Sequence, residues 1–278
     1  MGARISLTVR ELKKWVRNPV QFFVFLIQPL FWIILFGSAF NITNLIPSNI
    51  PGSSIIVSNM MNNLFMGAKN YISFLTPGMM SVMIVFTSMF SGISIIWDRR
   101  FGFLTKLIVA PIPRDSIIIS KVFSSIVKSL VQASVLLIIA LLIPGGLSVG
   151  SGFNVYDLLG VYSALFLLSF GFSSLFSLIV VRIRDMQTLM AITNLLNLPL
   201  TFASTALFPS SIMPDWLKTI AEYNPLSWGT DIVRTLILRG SLTASELSSI
   251  TNDFIYLTVF SVIMFILVFF VSKYSFEE

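Results

Sequence analysis

The 278 residues contain no cysteine and no histidine. Without cysteine, disulfides and thiolate metal sites are excluded. Without histidine, the commonest metal ligand and the commonest general base are missing, and most catalytic constellations go with them. Charge is scarce too: 11% of the residues are Asp, Glu, Lys or Arg, where a soluble domain carries roughly 25%. Glycine never precedes lysine, so there is no G-x-x-x-x-G-K-[ST] phosphate loop. No stretch reads as a soluble domain, an internal repeat or a low-complexity tract.

What fills the chain instead is apolar. Hydrophobic residues make up 55% of it and the mean hydropathy is +0.90, which points to lipid as the main solvent. Six stretches have about the 20 mostly apolar residues that a bilayer-spanning helix needs: 22–40, 72–96, 117–143, 156–181, 186–208 and 254–272. The first ends at Gly37-Ser38-Ala39, which resembles a signal cleavage site. Its apolar region is longer than the usual 7–15 or so residues and contains Pro29, so a span is the better reading. The predicted fold is all-α: one polytopic membrane domain over 1–278, with six transmembrane helices.

Basic residues alternate sides in step with those stretches. Arg4, Arg10, Lys13, Lys14 and Arg17 precede the first. Arg99, Arg100, Lys106 and Arg114, with Lys121 at the border, lie between the second and third. Arg182 and Arg184 follow the fourth, and Lys273 follows the sixth. The other loops hold Lys69, then none, then Lys218, Arg234 and Arg239 in a longer segment. The positive-inside rule then puts both termini in the cytoplasm, with the chain in the cell membrane. It also accounts for the net charge of +6 without nucleic acid as a partner.

Three segments outside the spans carry pattern. In 1–20, Ile5, Val9, Leu12 and Val16 recur at helical spacing opposite charged residues, the signature of an amphipathic helix at the membrane interface. The segment 209–253 places Ile212, Trp216, Leu217 and Ile220, then Ile232, Val233, Leu236 and Ile237, in short helices on or in the outer leaflet. In 97–114, Trp97, Phe101, Leu104 and Ile108 share a helical face, with Asp98, Arg99 and Lys106 away from it, until Pro111 and Pro113 stop the helix. Such a rod either transmits a partner's motion into the membrane or rests its apolar face on lipid.

Polar residues inside the spans also have two readings. Gln187, Asn194, Asn197, Thr201 and Ser204 fall near one face of the fifth stretch, beside Ala191. Unsatisfied amides are costly in hydrocarbon, so this face lines a translocation path or makes ordinary interhelical hydrogen bonds. Lys121, Ser125, Lys128 and Gln132 share a face of the third; Lys128 either meets an anionic substrate or head group, or snorkels to the cytoplasm. Ser169, Ser173 and Ser177 form a small-xxx-small packing ladder. Asp231 and Arg234 are spaced to pair on a helix, read as an exposed pair of little energetic consequence. Asn41-Ile42-Thr43 is a glycosylation sequon.

Every Asp and Glu falls in a loop, at a terminus or at a span edge, which argues against proton coupling. Uphill transport would then need energy from a separate subunit, docked on the cytoplasmic side. Several motifs follow one another along the chain: Arg17-Asn18-Pro19, Phe74-Leu75-Thr76-Pro77-Gly78, Trp97-Asp98-Arg99-Arg100-Phe101-Gly102 and Ala110-Pro111-Ile112-Pro113-Arg114. Leu207-Phe208-Pro209, Met213-Pro214-Asp215-Trp216-Leu217, Asn224-Pro225-Leu226-Ser227 and Asp231-x-x-Arg234 complete the series. Together they resemble the membrane-spanning subunit of ABC-2 type transporters, particularly drug-resistance permeases, over nearly the whole chain. One departure is Asp98-Arg99-Arg100, where that family would carry a Glu-rich start.

The resemblance implies a type V exporter-like fold and a dimer with a second copy or a related permease. It implies two cytoplasmic ABC ATPase subunits carrying ATP and Mg, with no cofactor on this chain, which is itself not an enzyme. It implies outward transport of a drug or lipid, and a coupling helix over 97–114 that includes Trp97, Asp98, Arg99, Arg100, Phe101, Gly102, Leu104, Leu107, Ile108, Pro111 and Arg114. The residues themselves leave three rivals: an exporter of lipid-linked polysaccharide, an ion-coupled secondary transporter, and an intramembrane enzyme with a Ser–Lys pair on Lys128.

Overall fold

The computed structural model describes residues 2–39, 64–109, 112–113, 115–183, 185–239 and 242–275, and every regular element among them is helical. The sequon Asn41-Ile42-Thr43 lies outside the described residues. The chain runs through α1 (Gly2–Val16), α2 (Pro19–Ala39), α3 (Tyr71–Arg100), α4 (Phe103–Val109), α5 (Asp115–Leu142), α6 (Val155–Arg182), α7 (Met186–Phe202), α8 (Asp215–Glu222), α9 (Pro225–Leu238) and α10 (Ala244–Ser275). Of these, α2, α3, α5, α6 and α10 are long and apolar enough to cross a membrane.

Two boundaries differ from the sequence reading, and each has a local cause. The stretch 186–208 does not remain helical: α7 ends at Phe202 after 17 residues, about 25 Å against a hydrocarbon core of about 30 Å. Pro199 lies in its last turn, and Asn224 donates from its Nδ2 to the carbonyls of Leu200 and Ala203, at 2.9 and 2.7 Å. Those acceptors would otherwise be orphaned at the helix end. Conversely, α10 begins at Ala244 rather than at 254. Thr243 and Glu246 exchange side-chain to backbone bonds of 2.9 and 3.3 Å, the reciprocal pattern of a capping box. Asp253, read as lying in the segment before the span, is therefore inside α10.

The core lies along α3 and α6. Phe74, Leu75, Met83 and Ile84 of α3 and Leu165, Leu168, Phe172 and Phe176 of α6 are completely buried. Close approach depends on small residues: a Cβ on Gly92 would come within 3.2 Å of Phe176, and one on Gly171 within 2.7 Å of Phe260. The serine ladder serves the same packing. Ser173 donates to Ser125 at 2.8 Å, lies 3.1 Å from Ser88, and so joins α6 to α5 and α3; Ser169 donates to Ser129 at 3.2 Å. Without water, these hydroxyls find their partners in one another.

The periphery is apolar outward. Phe23, Ile27, Phe31 and Ile34 of α2, and Ile255, Val259, Val262 and Ile266 of α10, are exposed. Such faces suit lipid, since no element of the fold covers them. At Gly78, by contrast, α3 meets the turn that follows α7 so closely that an added Cβ would sit 1.9 Å from the Ala206 carbonyl oxygen. Backbone cannot move aside as a flexible side chain can. Gly78→Ala is expected to lower stability by about 1–3 kcal/mol, read as a drop in thermal midpoint in detergent. Gly2→Ala, where nothing lies within 4 Å, should leave the midpoint unchanged.

Candidate functional site

At the end of the bundle where α1, α4 and the last turn of α3 meet, charges gather inside rather than on the surface. Lys121 of α5 bonds Asp98 of α3 and lies 3.0 Å from Glu11 of α1; all three are buried. Arg10 contacts Glu11 at 2.9 Å and Asp98 at 3.9 Å, and Lys14 comes within 3.7 Å of Asp98. Arg4 pairs with Asp115 at the start of α5. The charged side of α1 therefore faces protein, while Ile5, Val9 and Val16 point outward, the arrangement of a helix lying on lipid.

This geometry revises the 97–114 segment. It is not one rod: α3 ends at Arg100, the chain turns through Phe101 and Gly102, and α4 follows. Gly102 has φ +67°, a left-handed conformation that ends helices and that glycine adopts without penalty. Trp97, Phe101, Leu104 and Ile108 thus cannot share one helical face. Asp98 turns inward to Lys121 instead of outward, and Arg99 donates to the Ile183 carbonyl at 3.1 Å. Arg100 is exposed and Leu107 half-buried. Trp97 and Phe101 stack at 5.5 Å and are 41% and 73% exposed. Arg10 sits 3.4 Å over the Phe103 ring, fastening α4 to α1. The side chains of Leu104 and Ile108, and residues Pro111 and Arg114, lie outside what the structure describes.

The polar stripe of α7 divides. Gln187 and Asn194 are exposed, whereas Asn197, Thr201 and Ser204 are buried. Asn197 and Thr201 line a mainly apolar cavity of about 280 Å³ with Gln28, Pro29 and Trp32 of α2 and Met79 of α3. Ser204 is structural: it donates to the Thr201 carbonyl at 2.7 Å and accepts from the Ala206 amide at 3.3 Å. Asp185 caps α7, and hydrogen bonds from Thr188 hold its carboxyl below the usual range. Lys128 and Gln132 are not part of this cavity. Lys128, 9% exposed, faces a separate one between α1, α2, α3 and α5, and Gln132 is buried on α5, accepting from Thr87 at 2.6 Å.

The opposite end holds a second knot, which the sequence reading treated as an exposed pair. Arg234 is 1% exposed. It donates to the carbonyls of Phe74 (3.1 Å), Thr205 (2.8 Å) and Ala206 (3.2 Å), pairs with Asp231 at 3.2 Å, and lies 3.9 Å from the Phe74 ring centroid. Tyr71 adds a bond to the Leu207 carbonyl at 2.9 Å, and Ser227 receives the Thr205 amide at 3.1 Å. Tyr71, Asn224 and Ser227 carried no mark of this role in the sequence, apart from Asn224-Pro225, which has the form of an N-cap with Pro at N1. The segment 209–253 is correspondingly less peripheral than expected: α9 is buried against α6, α3 and α10, while α8 exposes Trp216 and Ile220.

Residues 4–238 match the model of the ABC-2 type transporter family. The chain belongs to that family. It is 32% identical over 261 residues to the transport permease ycf38 of Cyanophora paradoxa, covering 90% of this chain and 82% of that one. It is 34% identical over 228 residues to ycf38 of Porphyra purpurea, covering 80% and 69%. The daunorubicin resistance ABC transporter permease protein DrrB1 of Streptomyces coeruleorubidus is 22% identical over 240 residues, covering 85% and 75%. The chain is thus a multi-pass membrane protein and a transport permease component of an ABC transporter.

Within this permease the two knots differ in what they can tolerate. Arg234→Met removes a donor from three carbonyls and leaves Asp231 with only the Thr205 hydroxyl, and should cost about 3–5 kcal/mol, seen as loss of monodisperse protein and a lower thermal midpoint. Asp231→Asn should be milder, because the guanidinium keeps its carbonyl partners. At the other knot, Lys121→Met should destabilise strongly alone. Adding Glu11→Gln and Asp98→Asn should recover part of the loss, since without Lys121 the two buried carboxylates keep only the half-exposed Arg10 and Lys14 as cations.

Proposed function

We propose that this permease is the membrane half of an exporter that moves a hydrophobic or amphipathic molecule, a drug or a lipid, outward. ATP is hydrolysed by a separate subunit. The observation that carries the coupling role is the Trp97–Phe101 stack, exposed beside a buried ion network at the basic end of the bundle. Exposed aromatics on a rigid mount suit a protein interface. The basic end is cytoplasmic on the positive-inside rule, so both termini and the α3–α4 corner face the ATPase. In this reading α7 counts as the fifth of six spans despite its length.

Force applied at Phe101 has a direct route inward. The corner is continuous with α3, and Asp98 ties that helix to α5 through Lys121 and to α1 through Arg10 and Lys14. A tilt of the corner therefore moves three helices together. Two ATPase copies, each carrying ATP and Mg, would act on a pair of permeases in the cell membrane. The chain itself supplies no nucleotide chemistry and has no cofactor, and nucleic acid plays no part.

The cargo reading rests on the cavity between α2, α3 and α7. Its polar groups are Gln28, Asn197 and Thr201, set among Pro29, Trp32, Met79 and Phe86. A glycan would call for more hydrogen-bonding groups than these, so an apolar cargo fits better than a polysaccharide. The likeness to DrrB1, a daunorubicin resistance permease, points the same way. The exposed Gln187 and Asn194, together with the bare apolar side of α2, suit a face shared with a second permease.

Co-purification in nanodiscs with the cognate ABC ATPase of the same organism tests the coupling role. The wild-type chain should capture the ATPase and support ATP hydrolysis. A Trp97→Asp/Phe101→Asp variant should lose capture while keeping its own oligomeric state. If no ATPase binds and the chain alone moves solute, the exporter reading falls to a secondary transporter.

A further inference from the structure

The cavity between α1, α2, α3 and α5 has a volume of about 300 Å³ and lies beside the Lys121–Asp98–Glu11 network. Lys14, Lys128 and the Glu11 carboxylate line it, with Asn18 and Gln21 as neutral polar groups and Phe25 and Phe90, 4.6 Å apart, as an aromatic wall. Lys128 is 9% exposed, and no described residue gives its ammonium a hydrogen bond or an ion pair. The carboxylates within reach are already engaged: Glu11 by Arg10 and Lys121, Asp98 by Lys121, Arg10 and Lys14.

Charge at this place is unbalanced. Arg10, Lys14, Lys121 and Lys128 face Glu11 and Asp98, four cations against two anions, and among the described residues Lys128 is the one of the four that makes no ion pair, although Glu11 lines the same cavity. One helical turn deeper on α5, the Nε2 of Gln132 is buried with no acceptor. Thr87, which lines the cavity, occupies the Oε1 of the same amide. Among the described residues the buried Gln132 Nε2 therefore lacks an acceptor, which is costly, and the Lys128 ammonium opens on the cavity without one. Pairing an ammonium with a second cation or a neutral apolar group would relieve neither. An anion with several acceptor oxygens would relieve the ammonium directly.

We infer that this cavity holds the phosphate or carboxylate head group of an anionic amphiphile. Lys128 is its ion-pair partner, Lys14 a second positive charge at the mouth, and the Phe25–Phe90 wall the rest for the first part of its apolar chain. The inference rests on the exporter reading and deepens it by giving the cargo a charge. The head group enters at the basic end, and the apolar remainder matches the cavity along α2 and α7.

Binding to the purified full chain in nanodiscs, with no ATPase present, tests this separately from ATPase capture. Either result leaves the other experiment's outcome standing. The probes are dodecyl phosphate, dodecanoate, dodecyltrimethylammonium and inorganic phosphate, each titrated calorimetrically. Dodecyl phosphate should bind wild type and Lys128→Arg comparably, and Lys128→Gln about tenfold or more weakly. Lys128→Gln should also melt at the same or a higher temperature, because it removes an unpaired buried charge; a merely structural lysine would lower it. Equal binding by Lys128→Gln, or by dodecyltrimethylammonium, overturns the assignment. Inorganic phosphate binding as tightly as dodecyl phosphate would overturn the amphiphile and leave a small-anion site.

Discussion

The Arg234 guanidinium holds together the end of the bundle at which α7 stops. A helix that ends within or near hydrocarbon leaves carbonyls with no water to bond. Here the carbonyls of Thr205 and Ala206 turn to Arg234, that of Leu207 to Tyr71, and those of Leu200 and Ala203 to Asn224. One arginine, one tyrosine and one asparagine thus replace the solvent that a loop would normally use. Because Arg234 also bonds the Phe74 carbonyl and stacks on its ring, the start of α3, the end of α7 and the middle of α9 are fixed relative to one another.

The ion network at the basic end works on a different principle. It links side chains to side chains across three helices, and among the described residues no backbone carbonyl depends on the Lys121 ammonium. An arrangement of this kind can shift as a unit without exposing unpaired backbone, whereas the Arg234 knot cannot. The two ends are therefore held by different kinds of contact. The ion network adjoins the exposed Trp97–Phe101 stack and the cavity that Lys128 lines. Buried ion pairs are poor sources of net stability, so the network's value lies in the geometry it keeps.

Between the two ends, packing follows the bilayer's rules. Glycines let α3 and α6 approach, serine hydroxyls satisfy one another, and bulky apolar groups face outward on α2 and α10. Helix α7 departs from this pattern, since it packs mainly on α3 and leaves Gln187 and Asn194 exposed. Among the described residues nothing hydrogen-bonds those two amides.

Helical class, the apolar stretches that became α2, α3, α5 and α6, the amphipathic α1 and the serine packing ladder were legible in the residues, because each depends on composition and on a period of 3.6 within one segment. The Thr243-x-x-Glu246 cap was missed, because the apolar run alone set the start of the last span at 254. What only tertiary structure decided were the partners that one segment finds in another. Asp98 faces Lys121 and not solvent, because α3 packs on α5 there. Arg234 is buried because three backbone carbonyls wait for it at the ends of other helices. Lys128 faces a cavity because α1, which lies far from it in sequence, roofs that side of α5. Periodicity places a side chain on a face; what that face meets depends on long-range packing, which no local pattern encodes.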